Sequence, residues 1–89
     1  MQGQLKELKK ELHRDFPRSD PVLTLFPSGA ASLNVKIGSE TYVLAYHLDV
    51  GLGINRMSAA TFGWEGYEHP VETVEEARSF LISRLKQCP

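Results

Sequence analysis

Three histidines, one cysteine and a run of glutamates are the residues of this chain that could do chemistry. His47 and Asp49 stand two apart at the end of an apparent strand, where alternate side chains share a face. A histidine oriented by a carboxylate is the usual general acid/base pair. No serine or cysteine nucleophile accompanies them, so the enzyme reading reduces to His47 and Asp49 acting near Tyr46 or Arg56. His13, His47 and His69 show no ligand spacing with one another, and His13 and Asp15 would point to different sides of a helix. No metal site is expected. Cys88 has no partner for a disulfide or a zinc site. Gly51-Leu52-Gly53 lacks both the third glycine of a dinucleotide fingerprint and the Gly-Lys-Ser/Thr of a phosphate loop. It reads as a wide turn within a longer loop over residues 49–53, and no cofactor is expected.

The segment holding Phe62, Gly63, Trp64, Glu65, Gly66, Tyr67, Glu68 and His69 is the strongest candidate for a contact surface. Tryptophan and tyrosine are enriched at binding hot spots, and two glycines let a loop conform to a partner. In the competing reading, Phe62 and Trp64 close one end of a small core. Glu65, Glu68, Glu72, Glu75 and Glu76 follow with no Lys or Arg between Glu65 and Glu76. They form either a solvated loop with an acidic helix start or an acidic patch that meets a basic partner. The partner-binding residues expected from this stretch are Trp64, Tyr67, Glu65 and Glu68.

The elements that must position these residues are legible from periodicity. Ala31, Leu33, Val35 and Ile37 alternate with Ser32, Asn34 and Lys36, as in a half-buried strand. Gly38-Ser39 supplies a two-residue turn with Gly first, as type II′ requires. Pairing Ile37 with Glu40 then sets Val35 against Tyr42, Leu33 against Leu44 and Ala31 against Tyr46. That gives one apolar face and one mixed face carrying Val43, Ala45 and His47.

Upstream, Leu5, Leu8, Leu12 and Phe16 form a narrow helical stripe that ends before Pro17. Glu7–Lys10 and Glu11–Arg14 stand at pairing distance along that helix. The stripe belongs at the edge of a small core or against a second copy of the chain. Residues 22–26 read as a short strand, and part of residues 54–62 as another. Thr73-Val74-Glu75-Glu76 is a capping box that opens a last helix with Val74, Ala77, Leu81, Leu85 and Cys88 on one face. Arg78, Arg84 and Lys86 are placed toward its negative end.

The expected fold is α+β over residues 1–89 as a single small domain: an N-terminal helix, an antiparallel meander of three to five strands, and a C-terminal helix packed on one sheet face. Its core should comprise Leu33, Val35, Tyr42, Leu44, Tyr46, Val74, Ala77, Leu81 and Leu85. A chain of 89 residues with 42% hydrophobic and 24% charged side chains makes a modest core with little room for a deep catalytic pocket. No secretory signal or membrane-spanning run is apparent, so a reducing, cytoplasmic setting without membrane attachment is expected.

The element order is similar to that of the double-stranded RNA-binding domain, and Gly51-x-Gly53 before Arg56 resembles its glycine-and-basic stretch. The last helix nevertheless opens on Glu75 and Glu76 where that domain has a lysine cluster, and the chain is not assigned to that family. A nucleic-acid role would need Lys6, Lys9, Lys10, Arg14 and Arg18 to act as a basic strip, against interleaved Glu7, Glu11 and Asp15. The net charge of −1 disfavours it. The reading that remains is a small non-enzymatic protein-binding domain of adaptor or inhibitor type. Homodimerisation through the leucine stripe or an uncovered strand edge is compatible with it.

Overall fold

The computed structural model describes residues 2–49, 51–56 and 68–87. Its centre is the hairpin of β2 (Ala31–Ile37) and β3 (Glu40–His47). The register is the expected one: Ile37 pairs with Glu40, Val35 with Tyr42, Leu33 with Leu44 and Ala31 with Tyr46. Gly38 adopts φ +65° while Ser39 keeps a negative φ, which is the type II′ turn rather than I′.

Helix α1 (Gln2–Asp15) ends before Pro17, and a 3₁₀ turn over Pro17–Ser19 follows. Ser19 is buried, and its hydroxyl donates to the Phe16 carbonyl at 2.6 Å. Leu5 and Leu12 are fully buried and Leu8 nearly so. The leucine stripe is therefore part of this chain's own core, not its edge, and it is not available to a second copy. Along the helix Lys10 meets Glu7 as expected, at 3.7 Å. Arg14 turns instead to Asp15, because Glu11 is engaged by Arg78 of the other helix.

Strand β1 (Val22–Leu25) returns against β2 through a turn in which Gly29 takes φ +96°. The glycine accepts the left-handed conformation that closes a three-residue hairpin loop with a bulge.

The largest correction concerns residues 51–53. They are not a loop but the start of β4 (Gly51–Arg56), which pairs antiparallel with β3. Leu52 lies opposite Tyr46 and Ile54 opposite Leu44, so both drop into the core. The burial of two alternating aliphatic side chains outweighs the turn preference of the flanking glycines. Strand β5 (His69–Val71) closes the sheet against β4. Phe62, Trp64, Glu65, Tyr67 and Cys88 lie outside the described residues.

Helix α2 (Val74–Gln87) opens on the expected cap. The Thr73 hydroxyl accepts from the Glu76 amide at 3.1 Å, while the Glu76 carboxylate reaches one residue further back, to the Glu72 amide. Arg78 is not near the negative end of this helix. It sits early in α2 and forks onto Glu11 at 2.6 and 2.7 Å, with Glu75 at 3.3 Å.

The fold is α+β: a five-stranded antiparallel meander in the order β1-β2-β3-β4-β5, with α1 and α2 side by side on one face. Leu33, Val35, Leu44, Ala77 and Leu81 are buried as expected, and Tyr42, Tyr46, Val74 and Leu85 are partly buried around them. The core also takes in Leu5, Leu8, Leu12, Ala31, Ile37, Leu52, Ile54 and Val71. Its larger size follows from β4 and α1 being integral to it. Ser32, Asn34, Thr41, Val43 and Ala45 face the opposite side, on which no described element packs.

Both sheet edges are guarded. Edge strand β1 has four residues between Pro21 and Pro27, and edge strand β5 has three with Pro70 at its centre. Short edge strands and proline blunt pairing with another sheet. The strand-edge route to a homodimer is disfavoured for that reason.

Candidate functional site

Four elements converge at one end of the sheet. Tyr42 on β3 lies opposite Arg56, the last residue of β4, and His69 opens β5 opposite Ile54, on the same helix-side face. Phe80 and Arg84 stand four apart on α2, so one helical face presents both. The side chains of Tyr42, Arg56, Glu68, His69, Phe80 and Arg84 enclose an open pocket of about 260 Å³.

Phe80 is the hub of this pocket. The His69 ring lies 4.3 Å from its centroid at 30°, and the Tyr42 ring 6.1 Å away at 57°. The Arg84 guanidinium carbon sits 5.0 Å over the same ring. A cation held on an aromatic face keeps its in-plane N–H groups free to donate outward. Among the described residues, no carboxylate is within ion-pair distance of Arg84.

Arg56 is differently engaged. Its Nε and Nη2 donate to the two Glu68 carboxylate oxygens at 2.9 and 3.2 Å. This fork holds the Glu68 carboxyl below its ordinary range and the Arg56 guanidinium above its own. Glu40, further along the same face of β3, raises Arg56 as a lesser cause and does not line the pocket. The Glu68 amide also donates to Oδ1 of the buried Asn55 at 2.5 Å. Two adjacent residues of β4 thus grip Glu68 by its side chain and its backbone.

Of the residues expected to contact a partner, Glu68 is at this site, and Trp64, Glu65 and Tyr67 lie outside the described residues. Three of the described glutamates of this stretch are engaged. Glu68 is held by Arg56, Glu75 by Arg78, and Glu76 caps α2. His47 and Asp49 are both exposed at the opposite end of β3–β4, and no hydrogen bond among the described residues joins them. Arg56 is at the far end of β4 from this pair, so the grouping of His47, Asp49 and Arg56 is not formed. Among the described residues, no set of His, Cys, Asp and Glu side chains gathers as a metal site would require.

The basic strip on α1 is broken, since Lys10 is paired with Glu7 and Arg14 with Asp15. A wider groove of about 780 Å³ runs between the helices, but its charges are matched in sign by Glu7, Glu11 and Glu75 against Lys10, Arg14 and Arg78.

Sequence reasoning missed Tyr42, Arg56, Phe80 and Arg84 as a group. The i,i+4 spacing of Phe80 and Arg84 was the one local signal. The rest depends on the β3–β4 register, which the glycines of β4 concealed. Among described helices, none is long and apolar enough to cross a membrane. Comparison with protein-family models, with curated proteins and with solved structures finds no match.

Proposed function

We propose that this chain is a small non-enzymatic protein-recognition domain, acting in the cytoplasm, whose contact surface is the β4–β5 end of the molecule. That surface comprises the Phe80 pocket together with Trp64, Glu65, Tyr67 and Glu68. The observation that carries the reading is the grip of Asn55 and Arg56 on Glu68. It holds Arg56 and Glu68, the described residues that flank positions 57–67 in the sequence, together at the pocket. Tyr67 and Trp64 precede Glu68 by one and four positions in the sequence. The aromatic residues best suited to a hot spot thus stand close in sequence to a pocket that displays Arg84, a cation with no carboxylate partner among the described residues.

Site-specific photocrosslinking tests this reading. A photoreactive phenylalanine analogue replaces Tyr67 in one preparation and Lys9, on the outer side of α1, in another. Each is irradiated in native lysate with and without nuclease. The expected result is a discrete adduct from position 67 that survives nuclease, is competed by excess unmodified protein, and is absent from position 9. A nuclease-sensitive adduct from position 9 alone would reverse the assignment in favour of nucleic acid and the α1 lysines.

A further inference from the structure

We propose that the pocket around Phe80 binds a phosphate group carried on the partner protein, an inference that rests on the protein-recognition reading above. One of the two sequence readings of the glutamates is an acidic patch that meets a basic partner. The side-chain geometry at this end points to the opposite polarity.

The pocket has a surplus of donors. An arginine offers five N–H groups, and Arg56 spends two of them on Glu68. Arg84 spends none on a carboxylate among the described residues. The Tyr42 hydroxyl and the His69 imidazole add further donors to the same lining. Among the described residues, the single lining carboxylate, Glu68, is already engaged through both oxygens. What Arg84 lacks, among the described residues, is an anionic partner.

Shape narrows the acceptor. The donors come from β3, β4, β5 and α2, and so approach from several directions. A planar carboxylate is matched by one guanidinium fork, whereas a tetrahedral oxyanion presents oxygens to donors on several sides. The volume of about 260 Å³ is just below that of sites for drug-sized ligands, and suits a single oxyanion group over a whole nucleotide. Phe80 already carries His69 and Arg84 against its ring, so it serves as a support for the cation and not as a stacking platform for the ligand. The other exposed cations, such as Lys6, Lys9 and Arg18, line neither pocket, and arginine is the better phosphate fork.

The test is a heteronuclear NMR titration of the full chain with inorganic phosphate, with N-acetylphosphoserine amide, and with acetate and chloride at matched ionic strength. Saturable shifts of the Arg56 and Arg84 Nε–H, His69 and Phe80 signals are expected with the two phosphates and not with the controls. Arg84→Gln should weaken phosphate binding about tenfold or more. Arg84→Lys should fall between that variant and the parent, and Lys9→Gln should leave binding unchanged. Non-saturating shifts spread over Lys6, Lys9 and Arg18, or unchanged binding by Arg84→Gln with a native spectrum, would overturn the pocket.

The two phosphates separate the sources. Tighter binding of the phosphoserine amide upholds a protein-borne phosphate. Equal or tighter binding of inorganic phosphate assigns the pocket to a small phosphate and overturns that source. A silent titration beside an intact position-67 adduct removes this inference alone. Saturable phosphate binding without any such adduct removes the protein-recognition reading instead.

Discussion

Replacing Leu12 with alanine asks whether α1 belongs to this fold or is held ready for another chain. Leu12 is fully buried, between Leu8 and Phe16 on the stripe that meets the sheet. The substitution removes three buried carbons, worth about 2.4 kcal/mol at roughly 0.8 kcal/mol for each. The residual cavity adds to this, because the neighbouring strands relax only in part, bringing the loss to about 3–4 kcal/mol. A chain of this size has a total stability on the order of 5–10 kcal/mol. The melting temperature should therefore fall by roughly 12–32 °C, at about 4–8 °C for each kcal/mol. Urea unfolding followed by far-ultraviolet circular dichroism at two protein concentrations is the assay, with Lys9→Ala as a surface control expected within about 0.5 kcal/mol of the parent. A loss below about 1 kcal/mol would refute the reasoning. So would a midpoint in the parent protein that climbs with concentration, since that would place the stripe between chains.

Other perturbations address the site and the helix pair. Asn55→Ala removes the acceptor of the Glu68 amide and should destabilise by about 1–3 kcal/mol in the same urea assay; a neutral result would mean that the Glu68 backbone is not held by β4. Glu11 titrates below its ordinary 4.5 because Arg78 donates to it, so its contribution is complete above that pH and is lost as the pH falls through the lower folded-state value. Arg78→Gln should thus narrow the stability gap between pH 6 and pH 3, and an unchanged acid profile in that variant would show that the interhelical pair contributes nothing. Pro70→Val restores an edge N–H in β5 and should produce concentration-dependent association by light scattering. A variant that stays as dispersed as the parent would mean that Pro70 does not guard the edge.

The hairpin and the α2 cap were legible because their partners are near in sequence. Val35 finds Tyr42 across a two-residue turn, and Thr73 finds Glu76 within one helical turn. Strand β4 was not legible, since Gly51 and Gly53 imitate a loop and only the facing Tyr46, Leu44 and Val71 make Leu52 and Ile54 a buried pair. The state of the glutamates was hidden for a related reason. Glu11 and Arg78 are separated by 67 positions, and spacing along one helix suggested Arg14 instead.

Local turn chemistry and side-chain alternation suffice to set the periodic elements, the central register and the helix start. Only tertiary contacts make α1 part of the core and β4 a strand, and match Arg56 while leaving Arg84 without a carboxylate among the described residues. Apolar burial is non-directional, and an ion pair requires only proximity, so neither leaves a fixed spacing in the chain. Both become determinate when the sheet closes and the two helices settle side by side on its face.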